Sequence, residues 1–138
     1  MTGKVKAFEA LGVTLKNDRW SWSGRTPDGK TVVLQLWKDR LNYKTKPISY
    51  NDFDDPTLPT WINRPGNKDR IEDLKWARAH CEGTFRVVIG VAKDIHANPR
   101  ETIEAYHRGD LIMKIVEFNE ETGEFRAEMV EGITVPRA

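Results

Sequence analysis

Residues Arg19–Trp37 read RWSWSGRTPDGKTVVLQLW and hold three of the five tryptophans in the chain. How this stretch pairs with itself decides which rings enter a core and which stay free to meet a ligand. Pro27 suits the first corner of a type I turn, and Gly29 suits the left-handed position that follows. The run Thr26–Lys30 therefore predicts a hairpin with a three-residue loop, Pro27-Asp28-Gly29. In that register Thr26 faces Lys30, Gly24 faces Val32, Trp22 faces Leu34 and Trp20 faces Leu36. One face then gathers Trp20, Trp22, Val32, Leu34 and Leu36, which reads as core. The other face carries Arg19, Ser21, Ser23, Gln35 and Trp37. A two-residue loop would slide the pairing by one and set the paired tryptophans opposite Val33 and Gln35, but the first register collects the apolar residues better. On it Trp20 is structural, and Trp22 is structural unless the core opens into a pocket. Trp37 stands at the strand end before Asp39 and Arg40, where loops build sites, and is the ring best placed for another role.

Outward from the hairpin, TGKVKAFEALG (Thr2–Gly12) reads as a short helix or an irregular lead-in with Val5, Phe8 and Leu11 on one side, ended by Gly12. Residues 41–67 carry four prolines with many Asn and Asp and show no clear period, apart from a short strand near Ile48. A connection of this length is uncommon in a compact domain and is often functional. NKDRIEDLKWARAHCEG is the strongest helix, with Asn67 as cap, acidic residues in its first turns, Ile71, Leu74 and Cys81 near one stripe, and Gly83 as stop. Phe85–Ala92 is a nearly continuous apolar run, which suits a central strand covered on both faces. NPRETIEAYHRG reads as a second short helix, capped by Asn98, with Pro99 at its first position and Gly109 at its end. LIMKIVEF and GEFRAEMVE read as two strands around a turn in which Gly123 takes positive φ. The order predicts one domain over residues 1–138, of α+β class. Its sheet is small, twisted and mainly antiparallel, or a barrel, flanked by two or three helices.

The chain has 138 residues and a net charge of +1, so any nucleic-acid binding must come from a local basic patch. A single cysteine, Cys81, excludes an internal disulfide and a zinc site on paired cysteines, and reads as a small core residue. No apolar run reaches the ~20 residues of a membrane span, and the N-terminus has no signal-like segment, which predicts a cytoplasmic protein. Pro27-Asp28-Gly29-Lys30 imitates a nuclease carboxylate–lysine pair, but the turn needs those residues. His80, His96 and His107 are scattered, without ligand spacing. Asn51–Pro56 reads as a solvated acidic turn rather than a calcium loop. Phosphate-loop, dinucleotide and serine-hydrolase patterns are missing, so no cofactor and no metal is expected.

A distributed pattern remains. Trp22, Trp37 and Trp61 alternate with Ser21, Ser23, Asp39, Asn63 and Arg64. Flat rings stack on a base, and nearby Asp, Ser or Asn groups can read the edge of a flipped one. Arg64, Lys68 and Lys93 can hold phosphates. The plainer reading, that each tryptophan packs in the core and each charge is solvated, stays open. The segments WSWSG (20–24), VVLQLWKDR (32–40), NRPGNKDR (63–70), RVVIGVAKD (86–94) and NPRETIE (98–104) resemble small bacterial domains of the PUA-like superfamily, the group that includes EVE, ASCH and YTH domains. They are also similar to modules found beside HNH nucleases in modification-dependent restriction proteins. The resemblance covers roughly residues 19–117. It implies a small twisted β-barrel flanked by helices, and recognition of a modified base in DNA or RNA by an aromatic pocket. The matching positions are Trp22, Ser23, Trp37 and Asp39, with Lys93 and Asp94 nearby. The chain carries no nuclease module, so cutting would need a separate partner. The expectation is a nonenzymatic nucleic-acid reader with Trp22, Ser23, Trp37, Asp39, Trp61 and Asn63 on the base and Arg64, Lys68 and Lys93 on phosphates. Two alternatives stand beside it. One is an enzyme on a nucleotide-like substrate using Asp39 or Asp94 as base near Lys93. The other is an adaptor with a large exposed apolar patch.

Overall fold

The computed structural model describes residues 3–17, 21–53, 55–96 and 102–130. Seven strands form one mixed sheet in the order β1-β2-β5-β6-β7-β4-β3. The strands are β1 (Ser23–Arg25), β2 (Val32–Trp37), β3 (Leu41–Asn42), β4 (Ser49–Asn51), β5 (Thr84–Ala92), β6 (Thr102–Phe118) and β7 (Phe125–Met129). Helices α1 (Lys4–Ala10), α2 (Leu58–Trp61) and α3 (Pro65–His80) accompany it. Among the described residues only the β2–β5 pair is parallel. The α+β class and the mainly antiparallel sheet are as expected. The barrel is not: β1 pairs only with β2 and β3 only with β4, so the sheet is open. End strands of three and two residues offer too short a ladder to close it.

The sheet is packed on both sides at its centre. On one face Val32, Leu34, Leu36, Val87, Ile89, Met113 and Phe125 meet Leu74 and Ala77 of α3. On the other, Val33, Val88 and Ala105 meet Ala7 and Phe8 of α1 and Val13. The seven-residue α1 is too short to hold helix by propensity alone. Fully buried Phe8 contributes about 1.5–3 kcal/mol to keep it docked. β5 is central and covered on both faces, which its unbroken apolar run predicts.

The hairpin register differs from the expected one. Ser23 faces Leu34, Gly24 faces Val33 and Arg25 faces Val32. The turn closes with Gly29 N–H donating to Thr26 O at 2.8 Å, and Thr26 N–H then donates to Thr31 O at 3.0 Å. The connection is thus four residues long, Pro27–Lys30. Asp28 Oδ1 stabilises it by accepting from Thr26 Oγ1 and from Lys30 N–H. These local bonds add one residue to the loop, and Ser23 rather than Trp22 then lies opposite Leu34. Trp20 lies outside the described residues.

A second difference is larger. Residues 102–108, expected as a helix after Asn98 and Pro99, form the first half of β6, and Asn98 and Pro99 themselves lie outside the described residues. Glu104, Ala105, Tyr106 and His107 pair with Val91, Gly90, Ile89 and Val88. Thr102, Ile103 and Glu104 are exposed, and Ala105, 1% exposed, packs with Val88 against α1. Pairing with β5 overrides the local helix signals. α3 also begins earlier than expected. Arg64 is its flanking residue and Pro65 its first, so Asn67 sits inside the first turn instead of capping it. Gly123 takes positive φ (86°) in the β6–β7 turn, as its spacing predicts. No helix among the described residues is long and apolar enough to cross a membrane.

Candidate functional site

The stripe that α3 turns toward the sheet is unusually polar: Gly66, Asn67, Arg70, Asp73, Leu74 and Ala77 are its buried residues. Each polar member ties down a different segment. Asp73 Oδ2 accepts from Ser23 Oγ at 2.5 Å, and Asp73 Oδ1 lies 3.0 Å from Arg25 Nε. Burial pushes the Asp73 carboxyl up, against the pull of these two partners. Asn67 Nδ2 donates to Ile62 O and to Thr122 O in the β6–β7 turn. A side chain at Gly123 would run into the Asn67 amide, so glycine is required there for space as well as for φ.

Arg70 is the centre of the arrangement. Its guanidinium carbon stands 5.3 Å from the Trp22 ring centroid, 5.2 Å from that of Trp61 and 5.2 Å from that of Phe125. Nη2 donates to Asn67 Oδ1 and to Gly123 O, both at 3.1 Å, and lies 3.3 Å from Asp52 Oδ2. Asp52 is 3% exposed and its Oδ1 accepts from Phe125 N–H. Burial pushes the Asp52 carboxyl up, while the Arg70 charge and the Phe125 bond pull it down. Arg70 Nε and Asp52 Oδ2 are buried without a hydrogen-bond partner among the described residues. Tyr50 stacks on Phe125 at 5.5 Å, and its hydroxyl is pushed well above the usual phenol range, first by burial and then by Asp52.

A second carboxylate fixes Trp61. Asp55 Oδ2 accepts from Trp61 Nε1 at 3.1 Å and from Arg40 Nη1 at 2.7 Å, and Oδ1 accepts from Thr57 N–H and Oγ1. Burial would raise the Asp55 carboxyl, but the Arg40 and Thr57 bonds outweigh it and hold it down at about 2. Of the acidic run Asn51–Pro56, the Asp52 and Asp55 side chains are therefore not solvated, and Asp54 lies outside the described residues. Asp52 and Asp55 each neutralise an arginine, and each braces one side of an aromatic cluster.

Of the expected base-binding residues, Trp22 and Trp61 are brought together, edge to face with centroids 6.3 Å apart. Both are half-buried. Ser23 is buried with its hydroxyl donated to Asp73. Trp37 is half-buried at the end of β2, paired with Gly90 of β5. Asp39 is exposed in the 3₁₀ turn Lys38–Arg40, and Asn63 is exposed just before α3. Of the expected phosphate-binding residues, Arg64 is half-buried with its Nε donating to Thr60 O, Lys68 is exposed on α3, and Lys93 is exposed just past β5. Arg40, Asp52, Asp55, Asn67 and Arg70 were missed as site residues. The signal for them was two acids in a proline-rich loop beside an arginine on a helix with little apolar stripe.

Cys81 is half-buried at the end of α3, with Sγ 3.4 Å from Lys30 O. Asp39 and Asp94 are exposed, which counts against either as a general base in a pocket. No group of three His, Cys, Asp or Glu suited to a metal ion occurs among the described residues. No family model matches the chain, and no curated protein or solved structure matches it either.

Proposed function

We propose that the chain is a nonenzymatic nucleic-acid-binding module that stacks a flat ring, a modified or flipped base, on the Trp22–Trp61 pair. The observation that carries this reading is the geometry of the pair. Two half-buried indoles from segments far apart in sequence are set edge to face, one braced by Arg70 and the other by Arg70 and Asp55. Rings fixed in advance lose little freedom when a ligand stacks on them. Base stacking on an aromatic side chain contributes about 1–3 kcal/mol per base. Asn63 and Arg64 come two and three residues after Trp61, and Lys68 one turn further on α3, as the polar groups this reading assigns to the ligand. In this reading Trp37 at the end of β2, Asp39 just past it and Lys93 just past β5 are further contacts for the strand. Ser23 has no place in this reading, because its hydroxyl is committed to Asp73. The role agrees with what the PUA-like resemblance implies, without the barrel. Any cutting would come from a separate partner.

The test is tryptophan-fluorescence titration with single-stranded DNA and RNA oligonucleotides carrying modified or unmodified bases. W61A and W22A are each expected to weaken binding about tenfold or more, and W37A less. Wild-type affinity in both W61A and W22A would overturn the assignment.

A further inference from the structure

A groove of about 590 Å³ opens on the sheet where the β3–β4 hairpin meets β7. In the β4–β7 ladder Ser49 faces Glu128 and Asn51 faces Arg126, while Tyr50 and Ala127 between them are buried in the core. Alternation therefore puts Ser49, Asn51, Arg126 and Glu128 on the outer face, and all four line the groove. Arg40, Asn42, Thr45 and Lys46 complete its polar wall.

The wall carries several donors, and its one carboxylate, Glu128, faces Arg126. Asn42 Oδ1 accepts from Lys44 N–H and Asn51 Oδ1 accepts from Phe53 N–H, so each amide keeps its NH2 group for a ligand. Lys46 is exposed and forms no ion pair among the described residues. Arg126 is held by Glu117, which accepts from its Nε and Nη2, and Glu128 lies 3.8 Å from its Nη1. Arg40 is shared with the aromatic site, since Asp55 accepts both from it and from Trp61 Nε1. One carboxylate thus separates the groove from the tryptophan pair.

We propose that this groove is the track for the sugar–phosphate backbone of the single strand whose base lies on Trp22 and Trp61. This rests on the base-stacking reading above. Amide and ammonium donors match phosphate and sugar oxygens. The guanidiniums of Arg40 and Arg126 are already neutralised, so Lys46 carries the charge-dependent part of the contact. The salt dependence is accordingly shallow, about 0.7 in the log–log slope for each phosphate met.

Fluorescence anisotropy of a labelled single strand over a range of salt, for wild type, K46A and K46R, tests this. Quenching of tryptophan fluorescence by a free nucleoside is followed in parallel. K46A is expected to flatten the slope by about 0.7 and K46R to restore it, with nucleoside quenching the same in all three. An unchanged slope in K46A with nucleoside quenching intact overturns the track and leaves the base site standing. A flattened slope without nucleoside quenching keeps a backbone groove and removes the base site. Displacement of the strand by inorganic tripolyphosphate at equal affinity would show a general anion site, and overturns the track.

Discussion

Arg70 and Asp52 are a buried ion pair whose side chains are 7% and 4% exposed. Such a pair contributes little net stability against apolar replacement, but breaking it leaves an uncompensated buried charge. D52A is therefore expected to cost about 3–5 kcal/mol, since it strands the Arg70 guanidinium and also removes the acceptor of Phe125 N–H. D52A/R70M removes both charges and should cost less than the sum of the two single changes. Chemical denaturation of the four proteins in that cycle measures it, and strict additivity would mean that the two groups do not interact. The same pair explains why the tryptophans are where they are. Nη2 of Arg70 meets Asp52, Asn67 and Gly123, while its guanidinium carbon stands 5.2–5.3 Å from three ring centroids.

Between elements, the contact of β1 with Val13, just past α1, sets a tight tolerance. A methyl group at Gly24 would run into Val13 Cγ1, and Val13 is 1% exposed and β-branched. Glycine to alanine in an unstrained backbone ordinarily stabilises by about 0.4–1 kcal/mol. Here G24A is expected to destabilise by about 1–3 kcal/mol through overpacking, and by less when V13A makes room. Urea denaturation midpoints decide the sign. α3 shows the other side of element packing. As a helix it was legible from its stop at Gly83 and its length, yet its buried face was not. Asn67, Arg70 and Asp73 look like a solvated face until their partners on β1, on residue 52 and on the β6–β7 turn are known.

Across the whole molecule, the buried carboxyls set opposing pH responses. The Asp55 pKa is depressed to about 2 on folding, so its stabilisation is present above an unfolded value near 3.9 and is lost as pH falls toward 2. Asp52 and Asp73 are raised by burial, so their contributions are present below the unfolded value and are lost as pH rises through the folded ones. D55N isolates the first effect. It should cost about 1–2 kcal/mol at pH 6 and almost nothing near pH 2, so its stability curve converges on the wild-type curve as pH falls. Curves that stay parallel down to pH 2 would show that the Arg40–Asp55 bond is not the source. The fold's open sheet has the same origin as these ties. Short end strands do not close on each other, and ion pairs and turns hold the loops over the core instead.

Local patterns determined a good part of this protein. The apolar run of β5, the glycine-closed turn between β6 and β7 and the long α3 depend on neighbours within a few residues, and the chain carries those signals plainly. Trp22 and Trp61 could be named as candidates, but nothing in their spacing said that they would meet. Tertiary structure decided the rest. The hairpin register is the exception, a local matter: Thr26 and Asp28 bond within residues 26–31 to close a four-residue turn. Residues 102–108 became strand because β5 offered an open ladder edge worth more than their helical propensity. Asp52 and Asp55 became the braces of an aromatic site because two arginines, one from the 3₁₀ turn after β2 and one from α3, arrive beside them. A residue's type states what it can bond to, and only the folded chain states which partner is within reach.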